Sequence, residues 1–375
     1  MTTATQANIT LPVSLGEALD KLTILDIKLQ KIHDDRRKDV QLEYDTLLSS
    51  LKEYVDRYPY HFRILLDVNL VLWNTQDKFH GKDTTPEEGA ALCQKILIEN
   101  DRRFRVKAKI NALANSALRE QKGYAKKRAL IYTHLGLGDM FWMNGAVRYL
   151  ATDYDEVVVV CKERNKLNAA AMYVDDPAIK ILVITDDADL HPWPAKRIWF
   201  EQQGFKVFGC GFFAEKPAGI SDLPNSFYDD IALARDIRRT YFHVPIFPEA
   251  RALAAAFQGV PYVVIHQQSS VKTIPIVQTL RAAGETRLLL DLNENHYERG
   301  QPEWELAEKV VNRPVLEYYL LIEGAEEIHM IESSIYCFAS HLDLSRVKRK
   351  VCYEPWGGNA ERLGVFETGT TPKTT

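Results

Sequence analysis

One segment decides the fold: residues 129–150 are ALIYTHLGLGDMFWMNGAVRYL. It begins with a short apolar, β-branched run from Ala129 to His134, which predicts a strand. A tight turn with two glycines follows, Gly136-Leu-Gly-Asp139. A helix is then predicted from apolar residues that recur on one face: Met140, Met143, Val147 and Leu150. The segment therefore predicts strand, turn and helix, the opening of a unit built on a parallel sheet.

Further apolar runs repeat this alternation of strand and helix. The run at 156–161, EVVVVC, is continuous, as in parallel strands that are covered on both faces. The other predicted strands are 181–185, 262–266, 288–292 and 327–331, with a helix over 315–325. We therefore predict an α/β fold with two Rossmann-like domains, residues 127–258 and 259–375. The boundary is placed near Gly259, where Gly-Val-Pro interrupts an alanine-rich helix.

The first 126 residues predict an all-α domain, a helical hairpin or bundle. Ser14 and Glu17 have the spacing of a capping box, and so have Thr85 and Glu88. Two helices with narrow apolar seams are predicted to pair, the first through Leu15, Ala18, Leu22, Leu25, Leu29 and Ile32, the second through Tyr44, Leu48, Leu51, Val55 and Tyr58. The fourth helix is predicted to run to about Lys122. We expect this domain to serve in packing or homo-oligomerisation, with docking of a partner as the alternative.

A short basic run lies on the fourth predicted helix: Arg102, Arg103, Arg105 and Lys107. A solvated helix face is one interpretation of such a run. Contact with an anionic acceptor or a nucleotide is the other.

The amino-acid composition limits the classes of protein to which the chain can belong. The 375 residues are 46% hydrophobic and 26% charged, which is typical of a globular chain of two or three domains. A net charge of -4 disfavours general attraction to nucleic acid or to an anionic membrane. Five scattered cysteines without Cys-x-x-Cys spacing argue against a disulfide framework and against structural zinc. With no signal-peptide pattern and no apolar run of about eighteen residues, we expect a cytoplasmic protein without a transmembrane segment.

The turn between the first strand and its helix is the first candidate for chemistry. A Gly-x-Gly-Asp turn places free backbone amides and a carboxylate at the carboxyl edge of a parallel sheet, where ligands of such folds bind. Gly136 and Gly138 have a second interpretation, since glycines are needed to make a tight turn. Asp139 has one as well, because an aspartate at this position caps a helix.

Three blocks of the sequence resemble a known class of enzyme. The block His134–Arg148 resembles the opening of glycosyltransferases with the two-domain GT-B fold, especially a group from large viruses, phages and bacteria, and more distantly the heptosyltransferases. The blocks at 225–229 and 326–334 are similar to later blocks of that group, so that the resemblance covers roughly residues 129–345. Residues 14–32 and 100–124 resemble an uncharacterised helical family that is often encoded near sugar-transfer genes.

The resemblance implies an inverting transfer, in which an acceptor hydroxyl attacks the anomeric carbon of a nucleotide sugar. A carboxylate must take the hydroxyl proton, and Asp139 matches the acidic position of the heptosyltransferase turn. The leaving diphosphate is expected to be stabilised without a metal, by a helix N-terminus and a cation. No cofactor is expected besides the donor substrate. The acceptor is expected to be a glycan or a lipid-linked glycan.

Polar residues near the predicted strand ends complete the expected site. Glu332, Ser333 and Ser334 come between a strand and a helix, where hydroxyls and amides bind phosphate or simply cap the helix. The other donor-side candidates are Gly136, Gly138, His266, Ser269, Ser270, Lys272, Asn293 and Asn295, with Lys272 as the phosphate cation. Lys272 and the glutamines after His266 depart from the relatives, which tend to carry an arginine and acidic residues there. His134, Asn144 and Arg148 are the candidates for contact with the acceptor.

Three other functions compete with this hypothesis. A metal-dependent glycosyltransferase would hold its ion through Asp187 and Asp189, which follow a predicted strand. A nicotinamide-dependent enzyme is disfavoured, because Phe141 stands where the third glycine of Gly-x-Gly-x-x-Gly belongs and Cys161 ends the next strand without an acid. A non-catalytic assembly scaffold that only binds a nucleotide sugar is the third.

Overall fold

A computed structural model describes residues 11–80, 84–123, 125–134, 136–185, 193–211, 223–353 and 364–369. The chain divides into two compact units. The first unit holds the chain up to Lys127 together with Ala151–Asp155 and Asp176–Ala178, and the second holds the remainder. The predicted boundary at 258/259 falls inside the second unit and stays a prediction. Within the described residues, no helix is both long enough and apolar enough to cross a membrane.

Four helices form the body of the first unit: α1 (Leu15–Lys31), α2 (Arg37–Arg57), α3 (Pro59–Phe79) and α4 (Pro86–Leu113). The hydroxyl of Ser14 accepts the amide of Glu17 at 3.3 Å, and Thr85 and Glu88 form the full reciprocal capping box. The side chain of Glu17 does not return to the cap, because it pairs with Lys107 of α4. Helix α4 ends at Leu113, earlier than the predicted end at Lys122.

Helix α1 buries its apolar residues against α3 and α4 as well as α2. Leu19, Leu22, Leu25 and Ile27 are buried. Leu22 and Leu25 belong to the predicted seam, whereas Leu19 and Ile27 do not. The buried carboxylate of Asp20 accepts a hydrogen bond from Asn69 of α3 at 2.9 Å. Each helix has therefore one covered side, and the unit has a core of its own.

The basic run of α4 is internal to the first unit. Arg102 pairs with Asp153, Arg103 with Asp20, Arg105 with Asp155 and Lys107 with Glu17. The Arg105 side chain is only 4% exposed. None of the four side chains is exposed and each faces a carboxylate, so the interpretation as a solvated face was wrong. Contact with an anionic acceptor or a nucleotide stays a prediction.

Two parallel sheets form the framework of the second unit. The strands of the first sheet are β1 (Arg128–Tyr132), β2 (Glu156–Lys162), β3 (Ile179–Ile184) and β4 (Phe205–Gly209). Those of the second are β5 (Tyr262–His266), β6 (Leu288–Asp291), β7 (Glu327–Ile331), β8 (Arg349–Tyr353) and β9 (Glu367–Gly369). The spatial orders are β3-β2-β1-β4 and β6-β5-β7-β8-β9, with every pairing parallel. All five residues of β5 are buried, as expected for a strand covered on both faces.

Short helices connect these strands. Their bounds are α5 (Leu137–Asp153), α6 (Lys166–Tyr173), α7 (Trp193–Gln202), α8 (Leu223–Asp229), α9 (Ile237–Thr240), α10 (Pro248–Ala255), α11 (Ile276–Ala282), α12 (Trp304–Glu308), α13 (Tyr319–Glu323) and α14 (Ser334–Ala339). Two 3₁₀ turns, Glu163–Asn165 and Val315–Tyr318, precede α6 and α13. The predicted helix over 315–325 is therefore a 3₁₀ turn followed by a short α-helix. The predicted apolar face of α5 is buried in full.

The alternation predicted from the sequence is present: the chain has a mixed α/β fold with two parallel sheets, preceded by four helices. Strands β5 and β7 have the predicted bounds, and β1, β2, β3 and β6 differ from theirs by one or two residues. Strands β4, β8 and β9 were missed.

We expect glycine to be required where α1 crosses α4. A Cβ atom on Gly16 would lie 2.6 Å from the carbonyl oxygen of Lys107. Gly16→Ala should therefore lower the free energy of unfolding of the first unit by about 1–3 kcal/mol, measured by urea denaturation or by hydrogen exchange of α1 amides. The matched control is Gly89→Ala in α4, whose Cβ would meet side-chain carbons at 3.9 Å and should raise stability by up to about 1 kcal/mol. Equal effects of both substitutions would contradict the packing argument.

Candidate functional site

A cleft of about 790 Å³ lies within the second unit. The residues that line it follow the carboxyl ends of strands from both sheets. They are Gly136, Leu137 and Gly138 after β1, Arg164 and Asn165 after β2, His266 and Gln268–Val271 at the end of β5, Asn293 and Asn312 beyond β6, and Glu332, Ser333 and Ser334 after β7. In open parallel sheets, this edge is where ligands bind.

Both sheets reverse their strand order at the cleft. In the first sheet, β2 and β3 lie on one side of β1 and β4 lies on the other. In the second sheet, β6 lies on one side of β5, and β7 and the later strands lie on the other. A crevice forms at such a switch point, because the neighbouring loops diverge over opposite faces of the sheet. The turn at 136–138 follows β1, and the loop at 267–271 follows β5. Each wall of the cleft is therefore built at a switch point.

The glycines of the first turn are required by close packing. A Cβ on Gly138 would lie 2.9 Å from the sulfur of Cys337 in α14, and one on Gly136 would lie 2.7 Å from the carboxylate of Asp139. One turn further along, Phe141 of α5 stacks on Phe338 of α14 with ring centroids 5.0 Å apart. The start of α5 is thus held against the start of α14, and the first amides of a helix have no partner within it.

Asp139 lies in the first turn of α5, half-buried beside the cleft. Its Oδ2 accepts the amide of Gly136 at 3.0 Å, so it caps the turn as the structural interpretation predicts. Burial raises the pKa of this carboxyl, while the Gly136 amide and the charges of His134 and Lys162 act in the opposite direction. Its neighbours Gly136 and Gly138 line the cleft, whereas the Asp139 side chain is not among the described lining residues.

The second wall centres on Ser333, the N-cap of α14. Its Oγ accepts the amide of Tyr336 at 3.3 Å and is hydrogen-bonded to Nδ1 of His266 at 3.1 Å. Burial lowers the pKa of His266 to about 4, so the ring is neutral near pH 7. Glu332 and Ser334 flank the cap and also line the cleft. Strands β5 and β7 are adjacent, which is why residues 67 positions apart share one wall.

The loop after β5 is a short hairpin that projects over the cleft. Gln268 and Thr273 form an antiparallel bridge, and Oγ of Ser269 accepts the amides of Val271 and Lys272 at 3.3 Å. Asn293 holds the hairpin from the β6 side, since its Oδ1 accepts the amide of Gln268 at 3.0 Å. These hydrogen bonds fix the loop before any ligand arrives.

Most of the residues predicted to bind the donor come together in the cleft, and Lys272 and Asn295 do not. Lys272 is missing from the described lining residues. The amide of Asn295 donates to the carbonyl of Trp304 at 3.0 Å and to Glu308 at 2.9 Å, so it closes the loop after β6. Binding by the residues that do line the cleft stays a prediction.

The three predicted acceptor contacts also lie away from the described lining of the cleft. Asn144 and Arg148 are fully buried. Asn144 accepts the amide of His243 at 3.0 Å, and Arg148 donates to Asp175 at 2.7 Å. Their helix face is polar in sequence but covered in the fold, because the segments at 172–175 and 241–243 pack on it. His134 is exposed, and its Nε2 donates to the carbonyl of Gly211 at 2.8 Å.

Several lining residues had not been predicted: Leu137, Arg164, Asn165, Gln268, Val271 and Asn312. A signal for Arg164 and Asn165 exists in the sequence, since they follow the strand that ends at Lys162 and so lie at the same sheet edge as Gly136. Asn312 has a φ of 51°, a left-handed conformation that asparagine tolerates. Asp187 and Asp189, the alternative metal ligands, lie outside the described residues.

The described lining is polar and nearly balanced in charge. Arg164 on the first wall and Glu332 on the second are its charged side chains. Its other polar groups are hydroxyls, side-chain amides and one imidazole, from Asn165, His266, Gln268, Ser269, Ser270, Asn293, Asn312, Ser333 and Ser334. Groups of this kind can form hydrogen bonds with phosphate and hydroxyl oxygens without a large positive field.

Comparisons with known proteins give a distant match to one solved structure. No family model and no curated protein matches the chain. Among solved structures, a match is found to the bacterial iron-containing dodecameric glycosyltransferase TibC from enterotoxigenic E. coli, with 15% identity and a TM-score of 0.35. The match covers 64% of this chain and 61% of that one.

We expect His266 to make the second unit sensitive to acid. The native ring stays neutral down to about pH 4, whereas the unfolded ring takes up a proton near 6.5. Its contribution to stability is therefore present above pH 6.5 and is lost as the pH falls towards 4, by at most roughly 3 kcal/mol. His266→Asn should flatten the fall in unfolding free energy over this range, measured by urea denaturation at several pH values. His33→Asn, at an exposed histidine, is the control, and equal slopes in wild type and His266→Asn would contradict the prediction.

Proposed function

We propose that this protein is a glycosyltransferase of the GT-B type, which moves a sugar from a nucleotide-sugar donor to a hydroxyl of a glycan or lipid-linked glycan. One observation carries the proposal: a single cleft lies at the carboxyl edges of two parallel sheets, at the switch point of each. Such a cleft can hold a nucleotide against one sheet and an acceptor against the other. We further propose that the transfer is inverting and independent of a metal.

The donor is assigned to the second wall. Ser333 and Ser334 at the start of α14, with Ser269 and Ser270 on the hairpin, offer hydroxyls for phosphate and sugar oxygens. Because His266 is neutral and bonded to Ser333, it orients that hydroxyl without adding charge. Asn293 supports the hairpin and adds an amide to the lining.

Asp139 is assigned as the general base. The acceptor oxygen attacks the anomeric carbon, its proton passes to the carboxylate, and the bond from that carbon to the donor phosphate breaks with its electron pair leaving on the diphosphate. A raised pKa makes the carboxylate a stronger base than an exposed aspartate. The Gly136 amide donates to one oxygen of the carboxylate, which holds the Asp139 side chain against the turn.

Asp139→Asn tests the proposal, because asparagine still offers an oxygen to the Gly136 amide but cannot accept the proton. A donor panel of UDP, GDP, ADP, CMP and dTDP sugars is first screened by thermal shift, since a ligand of the folded state raises its melting temperature. Turnover, read as nucleotide release, should fall by about 100-fold or more in the variant while the shift with donor is kept. Because the base must be ionised, wild-type turnover should rise with pH through the raised pKa of Asp139.

The control for this test is Asp343→Asn. Asp343 is exposed and accepts the amide of Ser345 at 3.1 Å, so it caps a turn in the same way outside the cleft. Its turnover should equal that of the wild type. Unchanged turnover in Asp139→Asn would remove Asp139 as the base, and the absence of both a shift and turnover with every donor would overturn the proposed function.

A further inference from the structure

We propose that Arg164, on the wall formed by the first sheet, supplies the positive charge that binds the diphosphate of the donor. The inference rests on the proposed function and names the cation that a transfer without a metal requires. The sequence suggested Lys272 for this role, and Lys272 is missing from the described lining of the cleft.

The position of Arg164 follows from the pairing of strands. It belongs to the 3₁₀ turn Glu163–Asn165, directly after β2. Strand β2 is parallel to β1 in register Ile131 with Val159, so the turns after both strands meet at one edge, with neighbouring strands about 4.8 Å apart. Arg164 and the start of α5 at Gly136–Gly138 therefore line the same wall.

The side chain of Arg164 is available for a ligand. It is exposed, and it forms no hydrogen bond or ion pair with any residue that the structure describes. Arg287 and Arg313 of the second unit are by contrast paired with acids, with Glu285 and Glu317 respectively. Its chain neighbour Glu163 pairs with Lys166 instead, at 3.6 Å.

Charge places the anionic part of the donor near Arg164. Among the described lining residues, Arg164 is the one cation, and Glu332 on the second wall is the one carboxylate. A diphosphate is attracted by Arg164 and by the positive end of α5, a helix of 17 residues. Charge grows on the diphosphate as the bond to the sugar breaks, so a cation at this place stabilises the transition state more than the bound donor.

An arginine suits this role better than a lysine. Its planar guanidinium forms two parallel hydrogen bonds with phosphate oxygens, whereas an ammonium acts as a point charge. Binding from the first wall also means that the diphosphate contacts both walls, with Arg164 on one and the serines of α14 on the other.

The experiment compares ligands with and without the diphosphate. Dissociation constants are measured by calorimetry for UDP, GDP, ADP, CDP and dTDP, for the matching nucleosides and for inorganic pyrophosphate, with Arg164→Gln and Arg164→Lys. Arg164→Gln should weaken the nucleoside diphosphate and pyrophosphate by about 10- to 100-fold and leave nucleoside affinity unchanged. Arg164→Lys should weaken the binding of the same ligands less than Arg164→Gln does. Arg251→Gln, which removes an equal charge from an exposed position of α10 outside the described lining, should change none of them.

The outcomes separate this inference from the proposed function. If the wild type binds none of the nucleoside diphosphates, the proposed function and the inference both fall. If Arg164→Gln binds them as the wild type does, the inference alone is overturned. The same holds if Arg164→Gln keeps diphosphate affinity but raises KM for the acceptor, which would make Arg164 a site for an anionic acceptor.

Discussion

The close approach of two helix starts at Gly138 is the constraint on which the site depends. Because residue 138 has no side chain, the first turn of α5 can lie against Cys337 of α14, and the stacked rings of Phe141 and Phe338 hold the two helices together one turn further along. This contact joins the carboxyl edge of one sheet to that of the other. The serines of the cleft and Arg164, the one cation among its described lining residues, all lie around this contact.

Charge in the molecule is arranged differently in its two units. In the first, cations of α4 are largely buried and paired with carboxylates. In the second, the cleft has neutral groups at its centre, since burial keeps His266 uncharged. Arg164 is exposed to solvent. The described lining of the cleft therefore carries one cation among hydrogen-bonding groups and no strongly basic surface.

The predicted site was most accurate where residues directly follow a buried strand. Gly136, His266 and Ser333 needed only the apolar run before them to be placed at a sheet edge, and the structure brings them together. The strands that were missed are short and carry charged or small residues, as Arg349–Tyr353 and Glu367–Gly369 do. Such strands are recognised by the neighbours with which they pair, and pairing is not a local property of the sequence.

The sequence by itself determined the alternation of strands and helices, the capped starts of α1 and α4, and the edge of the sheet at which a ligand would bind. These follow from hydrophobic periodicity and from capping, which act over a few residues. Tertiary structure alone decided which polar residues reach the cleft. Asn144 and Arg148 are covered by segments up to 99 positions away, Lys272 is left outside the described lining, and Arg164 lies within it. The physical reason is that burial depends on packing between segments distant in the chain.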